Sequence, residues 1–171
     1  LGRPASRWTQ ASAEEFGRGD FSGTQVTSDG TVQLAPAGRR VAAIAEPFAW
    51  SVAADARGNT FVGTGNEARI VRINANGDAS TLYDGEEVAV TALATDAAGN
   101  LYAGVSPGGR VLRFAPGSST PTQLLNTRQT FVWALQFDAQ GRLLVATGGA
   151  KGQLFRVDNP ASASRLSLSP L

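Results

Sequence analysis

One phrase occurs three times in this chain: FAWSVAADARGNTFVGT at 48–64, AVTALATDAAGNLYAGV at 89–105 and FVWALQFDAQGRLLVAT at 131–147. Each copy joins two apolar runs through a turn that carries an Asp and a Gly: Asp55 and Gly58, Asp96 and Gly99, Asp138 and Gly141. The aspartates stand 41 and 42 residues apart. A chain that repeats one hairpin at a fixed period is organised by that hairpin, because each copy packs against the next.

Extending the alignment outward gives four short strands per unit. The first covers Phe48–Ala54, Ala89–Thr95 and Phe131–Phe137, and the second Thr60–Gly63, Leu101–Gly104 and Leu143–Ala146. The third covers Arg69–Ile73, Arg110–Phe114 and Gln153–Val157. The fourth covers Ser80–Tyr83 and Thr122–Leu125, with Arg165–Leu168 as its candidate in the last unit. Four-stranded units at this period predict an all-β, propeller-like array of antiparallel blades. Adjacent apolar residues in the first strand, Val52–Ala54 and Ala134–Leu135, predict a strand buried on both faces between neighbouring blades.

Upstream, Ser28-Asp29-Gly30 between Gln25–Thr27 and Thr31–Leu34 predicts a hairpin. The run Gly30–Pro36 resembles Gly109–Pro116, so residues 21–47 read as a partial blade with Val41–Ala45 as its last strand. The domain reading is then an arm at 1–20, the partial blade at 21–47, and blades at 48–87, 88–129 and 130–171, the last with a C-terminal strand. Within the arm, Thr9–Phe16 has the spacing of a helical turn capped by Ser12. Three blades and part of a fourth leave a ring open. It is closed by further blades of a longer chain, by a second copy, or by the C-terminal strand joining the first blade. The first two are favoured, because the last unit needs Arg165–Leu168 for itself.

Composition narrows the function. The chain has no His and no Cys, which removes the commonest general base, thiol chemistry and the commonest metal ligands. A Ser-His-Asp triad is impossible within it, no Gly-x-Ser-x-Gly elbow occurs, and Gly63-Thr64-Gly65 lacks the Lys and helix of a phosphate loop. The net charge is +1 with both signs scattered, unlike the clustered basic face of a nucleic-acid binder. No apolar run is long enough for a membrane-spanning helix. With Leu1 first and Met absent, the chain is expected to be a processed form or a piece of something longer.

The stretch VTALATDAAGNLYAG at 90–104, with its Asp-x-x-Gly-Asn turn and aliphatic-aromatic strand, resembles the blades of NHL-type propellers and of bacterial two-component sensor propellers. GTGNEARIVRIN at 63–74 is similar to secreted bacterial propellers of the same broad type. The WD dipeptide is missing. The resemblance implies ligand or protein binding on a loop face, by a secreted or periplasmic protein of groups that are mostly non-enzymatic, with hydrolases a minority.

Internal repeats also separate structure from function. Asp55, Asp96 and Asp138 recur and are expected to cap turn N–H groups; Arg72, Arg113 and Arg156 recur on the third strand and are expected to make structural contacts. The irregular material is the loops between second and third strands and between units, which in a propeller share one face. Candidate binding residues there are Asn66, Glu67, Glu86, Glu87, Arg110, Arg128 and Lys151, with the three glutamates expected on one side and the three cations on the other. Trp50 and Trp133 start the first strand where the middle unit has Thr91; they are expected chiefly to pack, with ligand stacking as the alternative. No cofactor and no metal is expected. The favoured function is a non-catalytic binding or assembly module for a protein partner or for itself. Its alternatives are a sensor binding a small ligand at the channel mouth and a metal-assisted hydrolase starting from Asn66 and Glu67.

Overall fold

The computed structural model describes residues 22–162 together with Ser12. The 1–20 arm with its expected helical turn, and the expected strand at Arg165–Leu168, lie outside the described residues. Among the described residues the regular structure is all β: β1 Thr24–Val26, β2 Val32–Leu34, β3 Ala49–Ala54, β4 Thr60–Thr64, β5 Arg69–Ile73, β6 Ala79–Asp84, β7 Ala89–Thr95, β8 Leu101–Ser106, β9 Arg110–Phe114, β10 Thr122–Asn126, β11 Phe131–Phe137, β12 Leu143–Gly148 and β13 Gln153–Val157. No helix among them is long and apolar enough to cross a membrane.

The chain forms two compact units, 1–40 and 41–171. In the first, β1 and β2 pair antiparallel around Gly30, whose φ of +82° is the left-handed geometry that the turn requires. Val41–Ala45 forms no strand. An apolar run becomes a strand only when its backbone finds a ladder partner, and none of the sheets supplies one.

In the second unit, β3–β6 and β7–β10 are antiparallel four-stranded sheets, and β11–β13 is a three-stranded one. Registers repeat with the sequence. Val52 faces Val62 and Val62 faces Val71; Leu93 faces Ala103 and Ala103 faces Leu112; Leu135 faces Val145 and Val145 faces Phe155. These are the blades, called here first, second and third.

Each core lies between blades. Phe61, Ile70, Leu93, Ala103, Val105 and Phe114 fill the space between first and second, and Tyr102, Leu124, Val132, Leu135, Leu143 and Val145 that between second and third. Strand β8 serves both, since its alternate side chains point to opposite faces and all six residues are buried. Two glycines set the spacing. A Cβ on Gly63 would run into Ser51 Oγ and Val90 Cγ1, and one on Gly104 into Val132 Cγ1. The inner strand of each following blade therefore drives a valine into a space that only glycine leaves.

The two-sided burial expected of every first strand holds for β7 alone, whose Ala92, Leu93 and Ala94 are buried. Val52 on β3 is 66% exposed and Ala134 on β11 is exposed, because among the described residues each of these blades has a neighbouring blade on one side.

The aspartate turns cap as expected. Asp138 Oδ1 accepts the backbone N–H groups of Gln140 (3.0 Å) and Arg142 (2.9 Å), while Arg142 Nε donates to Oδ2 at 2.6 Å. Asp55 Oδ1 accepts from Arg57 and Asn59, and Asn100 reaches Asp96 through both N–H and side chain. Asn74 builds the same turn between β5 and β6 with an amide oxygen. The Arg142 N–H and side chain hold the Asp138 carboxyl below its ordinary value against the opposing effect of desolvation; at Asp55 desolvation is the largest influence, and the bonds from Asn59 and Arg57 together outweigh it. A carboxylate with a depressed folded pKa stabilises fully above its unfolded value, about 3.9, and that stability is lost as pH falls through the folded value. Thermal unfolding is thus expected to hold steady above about pH 5 and weaken below about pH 4. Asp138→Asn should lower the midpoint at neutral pH and flatten the acid limb, checked by circular dichroism melts across pH; an unchanged acid limb would refute the assignment.

Candidate functional site

The loops between second and third strands and between blades meet at the end of the sheets opposite the aspartate turns. Ala68 N–H donates to Val88 O (3.3 Å), Val88 N–H to Ser106 O (3.2 Å), Gly108 N–H to Thr130 O (3.0 Å) and Thr127 N–H to Gly109 O (3.0 Å). The rim expected from the repeat is therefore formed, but its charges are not segregated. Arg110 and Glu87, expected on opposite sides, are an ion pair.

That pair is one copy of a repeated latch. In each blade a residue two or three positions before the first strand reaches the residue that opens the third. Glu46 accepts from Arg69 at 2.9 Å, Glu87 from Arg110, and Gln129 Nε2 donates to Gln153 Oε1 at 3.1 Å. The Glu87 side chain is 6% exposed and Tyr83 O–H donates to it at 3.4 Å; burial, then the charge of Glu87, raise the Tyr83 phenol above its ordinary value. Arg69 gathers two further carboxylates, Glu67 at 2.7 Å and Asp84 at 3.1 Å. Glu67, Glu87 and Arg110 are thus engaged in holding loops. The signal was present in the sequence: Glu46, Glu87 and Gln129 stand at the same 41- and 42-residue spacing as the turn aspartates.

The tryptophans have a different setting. In every blade the ladder between first and second strands slips by one residue, and the residue left over is Trp50, Thr91 or Trp133. A bulge of this kind frees a side chain from the ladder and re-aims it. Each indole then lies over a glycine at the end of the next strand, Trp50 over Gly65 and Trp133 over Gly148, where a Cβ would meet the ring nitrogen. Phe131 stacks on Trp133 with centroids 4.8 Å apart, and Phe48 sits 6.1 Å from Trp50. Even so, Trp50 is 59% and Trp133 56% exposed, so packing accounts for only part of each ring.

The middle blade changes both members of the pair. Thr91 replaces Trp and Ser106 replaces Gly. Their hydroxyls bond each other at 3.0 Å, and Ser106 Oγ also accepts Val132 N–H at 3.3 Å. Where a third indole would lie there is a slot of about 400 Å³, walled by Trp50, Val88, Pro107, Phe131 and Trp133 with Thr91 and Ser106 at its base. Its hydroxyls are already committed, so the walls offer apolar contact. The two indole N–H groups have no partner among the described residues.

The other candidates do not line this slot. Arg128, in the loop between β10 and β11, and Lys151, between β12 and β13, are exposed and have no carboxylate partner among the described residues. Glu86 is exposed beside Glu87. Asn66, with φ +75°, lines a separate open cleft of about 330 Å³ together with Glu46, Glu67 and Arg69. The acidic groups there converge on the Arg69 guanidinium.

No protein-family model matches the chain, and no curated protein matches it. Solved structures share its fold. The WD40 β-propeller domain of Doa1 matches with TM-score 0.52 and 12% identity, over 63% of this chain and 37% of its own. The extracellular domain of the one-component system BT4673 from B. thetaiotaomicron matches with TM-score 0.52 and 16% identity, over 77% and 18%. A luciferin-regenerating enzyme matches with TM-score 0.58 and 13% identity, over 84% and 53%. The chain thus has a β-propeller-type fold, and it spans about half or less of the length of these structures. At such identities the likeness concerns the fold, which binding proteins and enzymes share.

Removing the Arg110 side chain would strand the buried Glu87 carboxylate. Arg110→Ala is expected to cost about 1–3 kcal/mol in urea unfolding, and Glu87→Gln with Arg110→Ala less than the sum of the single changes. Additive effects would show that the latch holds nothing.

Proposed function

We propose that this chain is a non-catalytic, extracytoplasmic binding module that engages a partner protein through the slot between Trp50 and Trp133. The observation that carries this reading is the paired exchange of Trp and Gly for Thr91 and Ser106 in the middle blade alone, which opens an apolar slot between two half-exposed indoles. Aromatic anchors around a desolvated pocket are where protein interfaces concentrate their energy. The slot suits an apolar side chain, with the indole N–H groups available to backbone carbonyls at its edge. The likeness of residues 90–104 to NHL-type and bacterial sensor propellers, and the extracellular domain with the same fold, support placement outside the cytoplasm. A small ligand in the same slot is the alternative.

Peptides selected on the protein from a displayed random library provide the test. Their binding should weaken by about 2 kcal/mol or more in Trp50→Ala and in Trp133→Ala, measured by calorimetry. The double change Thr91→Trp with Ser106→Gly rebuilds the sister arrangement, and should keep the fold while abolishing binding. Peptides that bind all three variants as well as the parent would sink the proposal; failure to enrich any peptide would favour the small ligand.

Self-association is a second reading, favoured by the outward faces of the end blades, where Val52 is 66% and Leu154 70% exposed. Sedimentation velocity should then give about twice the chain mass at micromolar protein, and less in Val52→Glu. A single-chain mass throughout would end this reading.

A further inference from the structure

At the aspartate-turn end, the two grooves between successive blades are equivalent by the repeat, yet they differ. Between second and third blades, Arg113 on β9 crosses the groove. Its Nη1 donates to the carbonyls of Pro160, at 3.2 Å, and of Ala161, in the turn after β13. The counterpart turn after β9 spans Ala115–Ser118; the two are closed by matching backbone bonds of 3.2 and 3.0 Å. Between first and second blades, however, Arg72 on β5 does not reach it. Arg72 Nε donates instead to Asn59 Oδ1 at 3.2 Å, and Asn59 Nδ2 is held by Asp55 Oδ2 at 2.8 Å. The terminal nitrogens of Arg72 have no partner among the described residues.

A cleft of about 180 Å³ stays open as a result. Arg72 and Arg57 line it, and its single carboxylate, Asp55, already accepts three hydrogen bonds. The rest of the lining mixes the apolar Phe61, Leu82, Leu101, Phe114 and Pro116 with the polar Asn59 and Ser118; Phe61, Leu101 and Phe114 are buried, so Leu82 and Pro116 present the apolar surface. A guanidinium fork with both ends free matches a carboxylate in geometry and charge. The apolar wall asks for a compact hydrocarbon body. A cavity of about 150 Å³ accepts one benzene ring, so the space here fits a single ring or short branched chain.

We propose that this cleft binds a small organic monocarboxylate, with the carboxylate on Arg72 and the apolar body against Leu82 and Pro116. Asn59 acts as the positioning residue, because its amide oxygen turns the guanidinium toward the cleft. The site lies apart from the tryptophan slot and does not depend on the reading of that slot.

Benzoate is the probe, titrated into isotope-labelled protein and followed by NMR. Saturable shifts are expected at the amides of Gly99, Gly117 and Ser118 and at Arg72 Nε, with the Trp50 and Trp133 indole signals unmoved. Arg72→Met should abolish the shifts, and Arg72→Lys, which keeps the charge without the fork, should weaken binding about tenfold. Arg113→Met should bind benzoate as the parent does. The proposal is overturned by the absence of saturable shifts at these amides, by inorganic phosphate binding as tightly as benzoate, or by unaltered binding in Arg72→Lys. Should Arg72→Met fail to fold, the lysine variant alone decides.

Discussion

Val90 and Val132 press their methyls against the backbones of Gly63 and Gly104, and the second unit depends on that contact. It sets how closely one blade approaches the next, and so whether the apolar faces of β4, β5 and β8 leave water. It also explains why the cores lie between sheets and not within one. A single blade has two apolar faces and can shelter neither alone, so each blade is stable only as far as its neighbours cover it. The middle blade, covered on both sides, is the most buried; the first and third each keep one exposed face.

Much of this was legible in the sequence because the repeat is local. The third strands fall where the alignment put them, at Arg69–Ile73, Arg110–Phe114 and Gln153–Val157, and the aspartate turns cap as their composition required. What failed had a common cause. Val41–Ala45 has the apolar character of a strand, but a strand also needs an edge to join, and composition does not show edges. The apolar neighbours of Val52 and Ala134 suggest burial, yet burial depends on a blade lying alongside.

The candidate site was legible residue by residue and illegible as pairs. Reading loops as irregular hid the latch, since Glu46 and Arg69 look unrelated until their counterparts are set beside them. Glu87 and Arg110 are paired with each other across that latch. Trp50 and Trp133 pack against Gly65 and Gly148 and beside Phe48 and Phe131, yet more than half of each residue stays exposed. The slot between them depends on what is missing from the middle blade, and only a comparison of all three copies shows it.

The bulge in each first strand has an evolutionary consequence. Its residue takes no part in the ladder, so its identity is almost uncoupled from the hydrogen bonds that hold the sheet. One substitution there, with a matching change fifteen positions on where Gly65, Ser106 or Gly148 stands, exchanges a ring for a hydroxyl while the blade is kept. Duplication of such a unit copies the scaffold and leaves one position per copy free to drift. New recognition surfaces can then arise in two mutational steps taken in order, the indole leaving before the glycine gains a Cβ that would collide with it.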